Sequence, residues 1–339
     1  MTDAESANPV DHPPATPPFR WSHVLSPRAL AERWSLLIAF AIAFAFFAIA
    51  KSHIFLTWPN FQAILDDASV LTMLAAGATL VLVIGEFDLS IGSVVNLSAA
   101  ASVGVMSYQH WSTGAAIAVS LGVGGLAGLA NGIVVAYLRV PSFIGTLAVG
   151  SLAGGINLAI TSSSIFNGLK HDYLQIALVR YGGISLRSIL AAAVVLLVLI
   201  ILRTTVFGRH AAAVGDNAAA ARLSGIHVQR VRVVVFVLTG MTAGAAAVLA
   251  TSSAQSYYSD VGTGFLLPAY AAAFLGLALG GGLRFNVLGS YVGVLLLGMV
   301  TTGLTIMNQP NWIAALVEGA VLLTAVAGVA IRRRGSVGR

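Results

Sequence analysis

No cysteine occurs among the 339 residues, which excludes disulfides, thiolate nucleophiles and cysteine-ligated metals. Charge is scarce as well: Asp, Glu, Lys and Arg make up 9% of the chain, against about 25% in a soluble domain. The only lysines are Lys51 and Lys170, and neither follows the glycine loop that cradles a phosphate. The patterns H-E-x-x-H and G-x-S-x-G are missing, and the seven histidines are scattered. No reactive constellation remains, so a membrane enzyme is disfavoured, and no cofactor or metal site is expected. The chain is not expected to hydrolyse ATP by itself. Active transport would draw on another subunit or on an ion gradient.

What is present is apolar. Hydrophobic residues form 58% of the chain and mean hydropathy is +0.90, which predicts a polytopic, all-α membrane protein. The net charge of +6 would suggest nucleic acid in a soluble protein. Here the arginines flank apolar runs, which fits membrane orientation and lipid contact instead. Windows of about 20 apolar residues predict ten spans: 35–52, 67–84, 91–108, 113–138, 141–162, 188–204, 231–252, 264–281, 285–307 and 312–331. Residues 1–34 read as a Pro-rich disordered cytoplasmic arm, 35–331 as the membrane domain and 332–339 as a basic cytoplasmic tail. The run after Arg33 has features of a signal peptide, but the long arm before it argues for an uncleaved first span. With the N-terminus inside, the inner segments hold 14 of the 18 Lys and Arg residues and the outer ones four, as the positive-inside rule requires. Both termini are then cytoplasmic.

One polar interruption stands out between the sixth and seventh spans, within 205–230: Gly208, Arg209, Gly215, Asp216, Asn217, Ala220, Arg222, Leu223, Ser224, Gly225 and Ile226. Asp216 or Asn217 can cap a first turn, Ala218–Ala221 favour helix and Gly225 sits where a left-handed residue ends one. A helix this short is marginal alone, so it calls for a partner surface. The alternative is a solvated linker. A second polar segment, 163–187, contains Asn167, Lys170, His171, Asp172 and Gly182-Gly183. It reads as an outer loop, open to a delivered partner.

Few charges lie at membrane depth. Glu86 and Asp88 fall between the second and third spans, where Asp88 can cap the next helix at Ser90–Gly92. Glu318 is the one acid placed in the interior of a predicted span, which argues against ion coupling. Hydroxyl and amide side chains are better represented. Asp88, Ser90, Asn96, Thr146, Asn157 and Thr242 are the candidate lining of a path for a neutral polyol; the competing reading is bonding between helices. Glycine pairs four apart, at 124/128/132, 150/154, 240/244, 276/280 and 289/293, read as close helix packing, with some available to a dimer seam. Glycine spacing also gives 85–92 and 282–289 a weak mutual likeness, as an internal repeat would.

Four stretches carry a family resemblance. Gly85-Glu86-Phe87-Asp88-Leu89-Ser90-Ile91-Gly92-Ser93, Val140-Pro141-Ser142-Phe143-Ile144-Gly145-Thr146-Leu147, the 208–226 interruption, and more loosely Gly280–Gly289 resemble the permease subunit of bacterial ABC importers for simple sugars, the ribose, xylose and galactose group. The resemblance covers about 35–331. Glu86 stands where that family usually has Gly, and Ser142 where it has Pro. The resemblance implies a ten-span, inner-membrane permease that pairs with a second permease copy, docks ABC ATP-binding subunits and receives sugar from a periplasmic binding protein. It makes 208–226 the ATPase-coupling helix. The other readings are an ion-coupled secondary carrier and an ABC permease for branched-chain amino acids or nucleosides.

Overall fold

The computed structural model describes residues 27–162, 164–279 and 284–337. Its helices are α1 (Pro27–Ala50), α2 (Ser52–Phe55), α3 (Trp58–Val83), α4 (Ile91–Tyr108), α5 (Thr113–Ala136), α6 (Ser142–Thr161), α7 (His171–Leu178), α8 (Leu186–Thr204), α9 (Val206–Leu223), α10 (Val228–Ala254), α11 (Leu266–Leu275), α12 (Val287–Ile306) and α13 (Asn311–Val337), with a short hairpin of β1 (Arg180–Tyr181) and β2 (Ile184–Ser185) before α8. Seven of these, α3, α4, α5, α6, α8, α10 and α12, are long and apolar enough to cross a membrane. Shorter apolar helices cover 34–50, 263–278 and 312–324. Each predicted span therefore meets an apolar helix, although three fall short of a full crossing among the described residues.

Several boundaries differ from expectation. α1 already begins at Pro27, inside the expected arm, and α13 continues through Val337, into the expected tail; residues 1–26 and 338–339 lie outside the described residues, as do Gly280–Gly282. The larger correction is α3. It starts at Trp58, well before residue 67, because extended Thr57 and Pro59 in the first turn make a helix start. Asp66 and Asp67 are thereby inside a membrane-length helix, so Glu318 is not alone. Hydropathy windows missed this because two adjacent acids lower the local average.

α3 is buried on nearly every side, as a helix apolar all round should be, and α10 runs beside it in the opposite direction. Glycines decide the next contact. Gly124 and Gly128 of α5 abut Gly240 and Gly244 of α10 so closely that a Cβ on Gly124 would overlap the Gly240 carbonyl, and the reverse. These glycines serve packing within the subunit, as do Gly293 against α11 and Gly289 against Gly276 just beyond it. Gly154 faces open space instead.

The packing repeats with the chain inverted. α10 packs on α4 and α5 as α3 packs on α11 and α12, and α4 meets α5 and α6 as α11 meets α12 and α13. Each half contains a non-helical break after its central helix, 84–90 after α3 and 255–262 after α10. The second break meets the first turn of α4 at Gly262 and Gly92, where a Cβ on Gly262 would fall 2.5 Å from the Gly92 oxygen. The counterpart of 84–90 is thus 255–262, and not the stretch ending at Gly289 that glycine spacing suggested.

The segment 164–187 is folded onto the bundle. Tyr173 of α7 is fully buried and its hydroxyl pairs with Thr251 Oγ1 at 2.7 Å. Burial pushes the Tyr173 phenol up to about 12, against the opposing pull of that bond, so the hydroxyl keeps its proton at any physiological pH. Gly182 and Gly183, both at positive φ, form the two-residue turn of the hairpin.

Candidate functional site

The polar interruption is a two-part helix. Thr205 Oγ1 accepts from Gly208 N at 3.1 Å and starts the first part. The backbone breaks at Asn217 (φ −161°, ψ 100°), whose Oδ1 accepts from Ala219 N and Ala220 N, both at 3.0 Å. Asn217, of the two expected caps, therefore opens a second helix of one and a half turns over 218–223. Gly225 ends it at φ +82°. Leu223 is 91% exposed, the most exposed of the large apolar side chains among the described residues. Ile226 is half-buried against Val228 and Val231 and is less available.

The first part of α9 is pressed onto the bundle. Gly215 touches the end of α3, where a Cβ would overlap the Val83 carbonyl. Gly208 lies as tightly against the end of α8. Asp216 binds Arg284 at 2.8 Å, tying α9 to the segment before α12. Arg209 and Arg222 are exposed. Arg222 shares a cavity of about 440 Å3 with Glu86, Arg139, Gln229 and Arg232.

Above Gly215 runs the break 84–90. Gly85, at φ +76°, turns the chain out of α3. The following amides have no helical partners, and α6 supplies them: Phe87 N donates to Ser142 Oγ at 3.2 Å and Leu89 N to Thr146 Oγ1 at 3.0 Å. Spacing four apart on a helix puts both acceptors on one face. Tyr270 of α11 closes the other side, accepting from Asp88 N (2.7 Å) and donating to Asp88 O (3.0 Å). The Asp88 carboxylate accepts from Ser90 N (2.9 Å), Ser90 Oγ (2.5 Å) and Asn131 Nδ2 (3.3 Å). It closes a turn onto Ser90, the residue before α4, but bonds none of the first-turn amides of α4 that a helix cap would satisfy, and it is 1% exposed with no cation paired to it among the described residues. Glu86 is bound to Arg232 of α10 at 2.9 Å.

The second break is held in a matching way. Asn157 of α6 donates to Ser259 O (2.9 Å) and accepts from the Tyr257 hydroxyl (2.7 Å). Asn96 accepts from Gly262 N (2.6 Å) and donates to Thr263 Oγ1 (3.2 Å). Thr242 lies apart from both, on the α3–α10 seam, bonded to Thr239 O at 2.7 Å. Asp88, Ser90 and Thr146 thus gather at the first break and Asn96 and Asn157 at the second. All six are buried and bonded within the subunit, so in this conformation five of them fix the breaks, Thr242 lies in the α3–α10 seam, and none is open to solvent.

Sequence reasoning missed Ser142 as an acceptor, Tyr270, and the cluster around Asp66. Asp66 pairs with Arg180 at 2.5 Å and Arg187 at 3.3 Å, and also accepts from Ser185 and Ser188. The usable signal was Trp58-Pro59 as a helix start, which would have placed Asp66 in a span that needs a cation. Glu318 is half-buried on α13 and joins none of the ion pairs among the described residues.

Residues 60–326 match the family described as branched-chain amino acid transport system / permease component. The ribose import permease protein RbsC of Escherichia coli K12 is 31% identical over 295 residues, 86% of this chain and 91% of that protein. The autoinducer 2 import system permease protein LsrC of Klebsiella pneumoniae is 34% identical over 288 residues, covering 82% and 83%. The L-arabinose ABC transporter permease protein AraH of Azospirillum brasilense is 31% identical over 298 residues, covering 88% and 87%.

Proposed function

The chain belongs to the branched-chain amino acid transport system / permease component family and is a permease subunit of an ABC importer; from that premise we propose that its cargo is a simple sugar, a pentose, hexose or polyol. Two of the relatives are named for pentoses, ribose and arabinose. The interior supports the same cargo, being rich in neutral hydroxyl and amide groups and poor in charge. The partners are an ATP-binding subunit, a sugar-binding protein and a second permease copy. α6 buries a single stripe and leaves Ser151, Gly154 and Gly155 open, a small-residue face of the kind on which helices associate in lipid.

The ten apolar helices cross the bacterial inner membrane with α9 in the cytoplasm. In support, Arg139, Arg203, Arg209, Arg222, Arg230, Arg232 and Arg284 gather at the α9 end of the bundle, against Lys51, Lys170, Arg180 and Arg187 at the other. The helix 218–223 docks in the ATP-binding subunit, and α9 passes its movement through Gly215 to α3 and the break 84–90. Alternating access follows from that motion. The observation that carries this reading is the capped, water-facing helix with Leu223 91% exposed on an otherwise apolar body.

The test is reconstitution with the ATP-binding subunit and the binding protein in proteoliposomes. Sugar uptake is expected to require ATP and to ignore proton and sodium gradients; uptake without the ATPase would overturn the reading. Arg222→Glu and Leu223→Glu are expected to abolish ATPase association while leaving the permease folded. Association and uptake both intact in these variants would remove the docking role.

A further inference from the structure

Where α9, the break 84–90 and the end of α11 meet, they enclose a cavity of about 430 Å3, within the ~300–1,000 Å3 of small-molecule sites. Its walls differ in chemistry. One is aromatic: Phe87 stacks on Tyr270 at 5.7 Å and on Phe274 at 6.4 Å, and Phe274 meets Phe285 edge-on at 5.4 Å. Phe87 remains 38% exposed, so its ring is only partly covered. The opposite wall is α9, through Ala212. At the rim stand Arg284 and Asp216, paired and largely exposed.

That combination matches one class of molecule. A monosaccharide has an apolar C–H face and a hydroxyl edge. Ring faces suit the first, and a mutually neutralised Arg–Asp pair suits the second with both donors and acceptors. A zwitterionic amino acid needs separate, unpaired countercharges, and here the two charges already satisfy each other. An acyl chain has no use for the polar rim. The wall is also movable: Gly215, which borders the cavity, is wedged on Val83, and its carbonyl lies 3.9 Å from where a Gly85 side chain would begin. Any shift of α9 therefore changes the shape of the space.

We propose that this cavity is the release vestibule of the translocation path, where the leaving sugar stacks on Phe87 and Phe274 and α9 sets the opening. The inference rests on the sugar-import reading given above.

The absence of cysteine permits a clean test in the reconstituted complex. Ala212→Cys places a thiol in the cavity wall, and Phe285→Cys serves if the first variant does not assemble. Modification by a methanethiosulfonate reagent, read on the permease by mass, is expected to block uptake. It is expected to be several-fold slower during ATP-driven uptake of D-ribose or L-arabinose than with ATP alone. Phe87→Leu is expected to lower uptake several-fold. Equal labelling rates with and without cargo, in a complex that still transports after modification, would overturn the vestibule and leave sugar import standing. An unmodified parent complex that takes up no sugar with ATP would instead sink the import reading itself.

Discussion

Asp88 brings a carboxylate into an apolar bundle and meets it with hydrogen bonds alone. Ser90 and Asn131 donate to it, and the alternative for those donors is to be buried without partners. Asp88→Ala is expected to cost about 2–4 kcal/mol, since several buried donors are orphaned together. Asp88→Asn keeps an acceptor for Ser90 but turns an NH2 group toward Asn131, and should fall between. Thermal unfolding in detergent measures both. Glu86 is a different case. Its pair with Arg232, at 13% and 27% side-chain exposure, is partly screened. Glu86→Gly, the residue the resembled family carries there, is expected to lower stability by about 1 kcal/mol or less, with the loss shrinking in high salt. A salt-independent loss would show that Glu86 acts through the backbone turn and not through its charge.

α9 is an element whose parts have separate duties. The portion up to Asp216 is clamped to the bundle by glycine contacts, and the portion after Asn217 buries Ala221 against the core and turns Leu223 outward. The Asn217 cap is what separates them. Asn217→Ala removes two bonds to Ala219 N and Ala220 N and is expected to cost about 1 kcal/mol of local helix stability. The permease should stay folded because the cap is exposed, while affinity for the ATP-binding subunit falls, as read by co-purification. This element was legible in the sequence. Asx residues, a run of alanines and Gly225 are local signals, and capping is decided within a few residues. The α3 start was less legible because Asp66 and Asp67 masked it. Their tolerance inside the helix depends on Arg180 and Arg187, more than a hundred positions away.

The whole molecule is two inverted halves that meet where the second break reaches the first turn of α4. Gly92 and Gly262 make that junction, and a methyl group on Gly262 would press on the Gly92 carbonyl and on Val95. Gly262→Ala is therefore expected to separate α4 from α11 and to reduce uptake. Gly264→Ala, which meets open space two residues on, should leave it unchanged. Comparing the two variants in the uptake assay isolates the contact from the general effect of removing a glycine.

The sequence by itself determined the membrane class, the ten apolar segments, the arginines that flank them and the capped helix after the sixth segment, because hydropathy, charge count and capping are read over a turn or a span. Tertiary structure alone decided the fate of the polar interior. Asn96 finds Gly262, Asp88 finds Tyr270 and Asp66 finds Arg187 across separations of 121 to 182 positions. A buried polar group must be satisfied by whatever packing brings near. No local pattern states which distant residue that is.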